Sequence, residues 1–367
     1  MELLTNGPSW VNGLSWADIS VIVLYFLFVV NLGFRYRKSG DEKSYFLAGR
    51  GMTWSVIGFS LFAASISSST LIGQAGDAYS TGIAVFNYNL ISVLVMVFFA
   101  WFILPHYIKS NIFTIPEFLE KRFNVASRYY FSFITIVVNI FLDAAGSLYA
   151  ASMVMKLVFP EASLTTLSAV FALIVAIYTI PGGLSAAIRV DLMQGIFLLI
   201  GSAILTFYAT YNGGAIYVKE LLLEGDYLMK LVRPMDDASV PWLGMILGIP
   251  VLGMFFWGNN QQLVQRVLTA KSIDEGRKGV LFVGFLTVLT LFLIIVPGVM
   301  SIDLFPGLER PDLVYPNMVM NLLPNILVGL MIAAIVAALT SSLSGLLNAV
   351  ATLFTMDFYA KMNPESS

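Results

Sequence analysis

The 367-residue chain has no cysteine, a single histidine (His106), and only 11% charged residues. Without cysteine a disulfide scaffold is excluded, and one imidazole leaves almost no material for imidazole chemistry. The 20 basic and 22 acidic residues nearly cancel to a formal net charge of −2, which excludes a basic nucleic-acid binder. Motifs of enzymes are missing too: there is no His-Glu-x-x-His, no Gly-x-Ser-x-Gly and no phosphate-binding glycine loop. What is plentiful is apolar side chain, at 58% of residues. A soluble core does not hide that much apolar surface, whereas a bilayer supplies a second apolar solvent. At about 20–25 residues per crossing, the apolar residues would fill about nine helices.

Apolar runs of 18 or more residues fall at 17–34, 53–78, 82–104, 129–158, 164–181, 187–211, 241–262, 279–300 and 324–360. The expected fold class is an all-α polytopic membrane protein forming a single membrane domain over 1–367. The first run is too long for a cleaved signal peptide and is followed by Arg35, Arg37 and Lys38. Alternation on ~10-residue strands is absent, which argues against an outer-membrane barrel. With the N-terminus outside, the outer side holds Lys156, Lys219, Lys230, Arg233 and Arg310, and the other fifteen Lys and Arg lie inside. That bias predicts that the end of this chain lies on the cytoplasmic side; the expected location is the plasma membrane, as a multi-pass protein. His106 is then an interfacial residue at an inner helix end.

Two runs are interrupted. The second carries Ser65, Ser67, Ser68, Ser69 and Thr70; the seventh carries Gly248, Pro250 and Gly253 followed by Trp257-Gly-Asn-Asn-Gln-Gln262. Non-helical backbone at membrane depth survives only where protein or a wet cavity satisfies it, and a pair of interrupted segments in corresponding halves points to a transporter site. The two lie five runs apart, as an inverted five-helix repeat requires. The competing reading is that small residues only allow close helix packing. In the ninth run Ser341, Ser344 and Asn348 share a face, flanked by Thr340 and Ser342. Hydroxyl and carbonyl oxygens without a carboxylate cluster suit a hard monovalent cation such as sodium. Bonding of those hydroxyls back to their own helix explains the same spacing. Asp143 and Asp191 lie within runs, where carboxylates are expensive. Asp191 has a ready partner in Arg189; Asp143 is either a solute contact, a proton-sensitive group or a packed carboxylate.

Five segments in order carry a family resemblance: Tyr45-Phe-Leu-Ala-Gly-Arg50, Phe113-Thr-Ile-Pro-Glu-Phe-Leu-Glu-Lys-Arg-Phe123, Tyr178-Thr-Ile-Pro-Gly-Gly-Leu-Ser-Ala186, Val264-Gln-Arg-Val-Leu-Thr-Ala-Lys271 and Ala351-Thr-Leu-Phe-Thr-Met-Asp-Phe-Tyr359. The chain resembles the sodium:solute symporter family, in the style of bacterial sodium–sugar cotransporters. The resemblance implies a leading helix (17–34) and two inverted five-helix repeats with unwound first helices. The first repeat would be 53–211, and 241–360 would supply three helices of the second. It implies sodium as the coupling ion, held by the carbonyls of Ala63, Ile66 and Ala338 and the hydroxyls of Ser341 and Ser342. For a second sodium site Asp191, Ser341 and Ser344 match, but Gly345 stands where a hydroxyl is sometimes found.

The solute positions depart from the resembled sugar pattern. Ser65 and Thr70 replace Asn and Gln, Tyr88-Asn89 replaces Tyr-Glu, Thr287 replaces Lys, Gly253 replaces Asn, and Phe256 takes the place of an inner aromatic gate. The expected function is sodium-coupled import, by alternating access, of a small polar solute, most of all a neutral sugar or polyol. Alternatives are a symporter of a monocarboxylate or other organic solute, and a non-transporting sensor with the same fold. Neither an enzymatic role nor an obligate protein partner is expected; the partners are solute, sodium and lipid bilayer. With two repeat helices fewer than the resembled fold, the chain is expected to be a truncated form holding an incomplete solute site.

Overall fold

The computed structural model describes residues 15–35, 42–67, 69–159 and 161–363. Arg37, Lys38, Ser68 and the segment 364–367 lie outside them, as does the side chain of Ser69. The described residues are helical almost throughout and form no strand, only isolated bridges such as Met52 to Ala270. By length and composition, six helical runs among them are able to cross a membrane. Two of the six divide at glycines.

The helices are α1 (Trp16–Arg35), α2 (Trp54–Ser65), α3 (residues 70–81), α4 (83–109), the short α5 (Ile115–Arg122) and α6 (Val125–Lys156). They continue as α7 (164–182), α8 (184–224), α9 (Trp242–Asn259), α10 (Gln261–Leu268), α11 (Ile273–Leu304), α12 (Val314–Leu322) and α13 (Leu327–Met362). Each of the nine apolar runs falls largely on one of these helices, except 53–78, which spans α2–α3, and 241–262, which runs from α9 into α10. Helix α8 extends to Glu224, well past the end of the apolar run 187–211.

Helix starts follow from local capping. Thr114, Asn124, Ser163, Asn260 and Ser272 each accept a hydrogen bond from a backbone N–H of the helix they open. At α1, the Ser15 N–H donates to Asp18 and the Asp18 N–H to Ser15 Oγ, a reciprocal cap. Asp18 also accepts from the N–H groups of Ile326 and Gly329, both at 2.8 Å, and so ties α1 to the start of α13.

Helix α13 is the centre of the packing. Its most apolar stretch is 89% enclosed, against 11% for α6 at the periphery. Helices α1, α7 and α8 pack on α13, while α2 sits between α8 and α11, and α4 between α9 and α11. The turn from α7 to α8 runs through Gly183 at φ 53° and ψ −154°, a conformation open in practice only to glycine. A Cβ there would also meet the Tyr45 carbonyl oxygen at 2.8 Å. Gly183→Ala is therefore expected to cost about 2–5 kcal/mol, from backbone strain and overpacking together. Thermal unfolding of the detergent-purified protein measures this; an unchanged midpoint would count against the reading.

The five family-like segments meet at one end of the bundle. Tyr45 Oη donates to Ile180 O at 2.9 Å, Gln265 Nε2 donates to Phe46 O and Thr352 Oγ1, and Thr114 Oγ1 donates to Asp357 at 2.8 Å. Asp357, fully buried, also pairs with Arg128 at 2.7 Å and accepts from Ser132 at 2.5 Å. These motifs tie the scaffold together; they do not line the cavities described next.

Candidate functional site

Both interruptions read in the sequence are present as breaks in helices. After Ser65 the backbone turns extended at Ile66 (φ −86°, ψ 101°), and helix resumes at Ser69. The last carbonyls of α2, Ala63 among them, are left without intrahelical partners by that turn. The second break lies at Asn260 (φ −76°, ψ 113°), between α9 and α10. It does not lie at Gly248, Pro250 or Gly253, which sit inside α9. Pro250 does not end the helix there, whereas Asn260 caps α10 through its side chain on the Gln262 N–H at 2.9 Å.

Two cavities flank the first break. One, of about 340 Å³, is lined by Ser65, Thr70, Tyr88, Asn89, Phe256 and Thr287, so all six residues expected to face the solute come together. The other, of about 320 Å³, is lined on its polar side by Ser65, Ser67, Asp143, Asn260, Gln262 and Ser342. Ser65, Ser67 and Phe256 belong to both, which places the Phe256 ring between them. That ring stands edge-on to Trp257 with centroids 5.3 Å apart.

The larger cavity holds polar groups that the sequence reading missed. Gln74 and Asn89 exchange amide hydrogen bonds, 3.0 Å each way, and Asn89 Nδ2 donates to Thr290 Oγ1 at 2.8 Å. The signal is there in the spacing: Gln74 and Asp77 follow Thr70 by four and seven residues, on one face of one helix. Thr287 and Ser65 donate to backbone oxygens of their own helices, Val283 O and Phe62 O, and Thr70 donates across the break to Ser65 O.

The expected sodium ligands divide. Ala63, Ile66 and Ala338 are buried at the α2 break and on α13. Ser342 lines the smaller cavity beside Ala64 and Ser65, while Ser341 Oγ donates to Asp191 Oδ1 at 2.5 Å. Ser344 does not join Asp191; it shares a hydrogen bond with Thr179 at 2.9 Å. Asn348 and Thr340 bond back to carbonyls of α13, the local alternative for such residues.

Asp191 has a partner other than Arg189. Its Oδ2 accepts from Arg266 NH2 at 2.8 Å, Arg266 Nε at 3.1 Å and Ser60 Oγ at 2.8 Å. Arg266 and Asp191 are both essentially inaccessible to solvent. The guanidinium thus neutralises the carboxylate, correcting both the Arg189 pairing and the grouping of Asp191 with Ser344. Arg266 lies 75 residues from Asp191, too far along the chain for spacing to reveal. The two glutamines at the second break bind backbone: Gln261 with Ile115 N and Phe113 O, and Gln262 with Ser342 O.

Comparison with known proteins follows the same lines. Residues 45–367 match the sodium:solute symporter family. The human sodium/myo-inositol cotransporter 2 is 34% identical over 97% of this chain and 58% of its own length. The Vibrio parahaemolyticus sodium/glucose cotransporter is 31% identical over 97% of this chain and 71% of its own. The chain spans between 58% and 60% of the length of the mammalian relatives that it matches. A solved Na+-coupled sialic acid symporter in a substrate-bound, outward-open state superposes with a TM-score of 0.85 at 21% identity, covering 95% of this chain and 75% of that one, and so has the same fold. Five motifs in order, two broken helices at the centre and these matches converge: the chain belongs to the sodium:solute symporter family.

Proposed function

We propose that the protein imports a small polar solute, a sugar or polyol, together with sodium by alternating access. The observation that carries this is the α2–α3 break held between two polar cavities with Phe256 between them. A solute in the larger cavity would contact Gln74, Asn89 and Tyr88, and the smaller cavity gives a route onward once the Phe256 ring moves. Relatives named for glucose and for myo-inositol support the solute class. A cavity of about 340 Å³ is also the size of a small-molecule site.

Sodium is assigned to the carbonyl oxygens of Ala63, Ile66 and Ala338 with the hydroxyls of Ser341 and Ser342. Such a site uses the freed helix-end carbonyls of a discontinuous helix, the usual source of sodium ligands in broken-helix transporters. Asp191 has the role of orienting Ser341 through their 2.5 Å hydrogen bond, and no second sodium is assigned to it. The two breaks mark the first helices of two repeats, 53–211 and 241–360. The excess of Lys and Arg near Arg50, Lys109, Lys121 and Arg277 assigns that end to the cytoplasm, and the plasma membrane is the membrane across which an inward sodium gradient would drive import. One charge moving down 100 mV is worth about 2.3 kcal/mol, which adds to the sodium gradient as driving force.

The test is a thermal-shift screen of the purified chain against sugars, polyols, amino acids and monocarboxylates, in sodium and in potassium. A sugar or polyol is expected to stabilise the protein only when sodium is present. Stabilisation indifferent to sodium would overturn coupling. Sodium-dependent binding without flux in proteoliposomes would favour the sensor.

A further inference from the structure

The solute path carries charge of one sign. Among the described residues lining the larger cavity, Asp77 is the only charged one; in the smaller cavity it is Asp143. Among the described residues no Lys, Arg or His lines either cavity. Asp77 stands on α3 three residues after Gln74 and seven after Thr70, so all three share a face of the helix. Its side chain is exposed, and no described residue donates to its carboxylate or pairs with it. It also lies near the C-terminal end of α3, where the helix dipole adds further negative potential. A carboxylate in that position is left unneutralised by the protein.

The neighbouring polar groups are, by contrast, largely satisfied. Both Asn89 amide hydrogens are used, on Gln74 and on Thr290, whereas Gln74 donates only one of its two. What remains for a solute is one amide donor, the spare lone pairs of the Gln74 and Asn89 carbonyls, and the full charge of Asp77. Neutral hydroxyls use the first of these. Only a cationic donor makes full use of the last, because a hydrogen bond charged on both sides is stronger than one charged on one side.

We propose that the solute of this carrier is a polyhydroxylated amine, an amino sugar or amino polyol, with its ammonium on Asp77 and its hydroxyls on the Gln74–Asn89–Thr290 row. This rests on the transport reading above and narrows its substrate class. The same carboxylate opposes a monocarboxylate, since no cation in the path offsets it. On passing Phe256 the ammonium meets a second carboxylate, Asp143, and no positive side chain.

The experiment compares three probes of one ring size and different charge: glucosamine, glucose and glucuronate, at a pH where the amine is protonated. Each is titrated against the purified full chain by thermal shift, in sodium and in potassium. Glucosamine is expected to stabilise at about tenfold lower concentration than glucose, and glucuronate not at all. In Asp77→Asn the preference for glucosamine over glucose should disappear. Equal midpoints for glucosamine and glucose in the unmodified chain, or a preference that survives in Asp77→Asn, would overturn the assignment while leaving sodium coupling intact. Absence of sodium-dependent stabilisation by all three probes would instead overturn the transport reading, and this inference with it.

Discussion

Arg266→Ala is expected to destabilise the protein by about 3–5 kcal/mol, because it strands Asp191 as a buried, unpaired charge. The two side chains are 0% and 1% accessible, and the guanidinium contributes two of the four hydrogen bonds that Asp191 receives. It also holds Gln262 O at 2.7 Å and thereby the first turns of α10. The decisive control is the double variant Arg266→Ala with Asp191→Asn. Removing both charges abolishes the desolvation cost along with the attraction, so the pair is expected to be less damaging than the sum of its singles. Unfolding midpoints of the four proteins in detergent give the coupling energy. A single-variant cost below about 1 kcal/mol, or strict additivity, would show that the pair is not the buried charge centre described here. The pair also explains Gly345. A Cβ at that position would meet Arg266 NH2 and Gln262 Nε2, each at 2.7 Å. The glycine is there because the guanidinium fills the space, which is a steric reason for the missing hydroxyl.

Ser341→Ala combined with Ser342→Ala is expected to remove the response to sodium altogether. Two oxygen ligands are lost, each worth roughly 1–3 kcal/mol to a charged partner, so sodium affinity should fall by about a hundredfold or more. The two serines are separable by their surroundings. Ser341 is fully buried and donates to Asp191, so its loss alone should also lower stability by about 1 kcal/mol. Ser342 lines the smaller cavity, so Ser342→Ala should weaken sodium binding with little change in stability. Sodium titrations followed by thermal shift or by solute uptake in proteoliposomes read both effects. Sodium-dependent stabilisation that persists in the double variant would place the ion elsewhere.

The outline of the fold was legible because its causes are local. Long apolar runs report the bilayer directly, Ser, Thr and Asn immediately before helices report caps, and the Ser65–Thr70 tract reports a helix that stops at membrane depth. The second break was located less well. Gly248 and Pro250 are the conventional signals, yet α9 runs through both, because local adjustments of a membrane helix re-satisfy the backbone group a proline frees and the helix need not end there. The polar wall of the larger cavity is partly legible: the sequence points to Ser65, Thr70, Tyr88, Asn89 and Thr287, but not to Gln74 and Asp77, which share a face with Thr70.

By itself, then, the sequence determined the solvent the protein lives in, the approximate positions of its long apolar helices, the presence of two breaks and the family. Each depends on residues close together in the chain or on their order. The partners of the charges were decided only by the tertiary structure. Asp191 has Arg189 two residues away along the chain and Arg266 75 residues away; only the fold, which sets both α8 and α10 against α2 and α13, selects the second. The same holds for the two cavities and the unneutralised Asp77. Whether a carboxylate is paired or left for a ligand depends on what the other helices bring within about 4 Å, and no spacing along one helix contains that information.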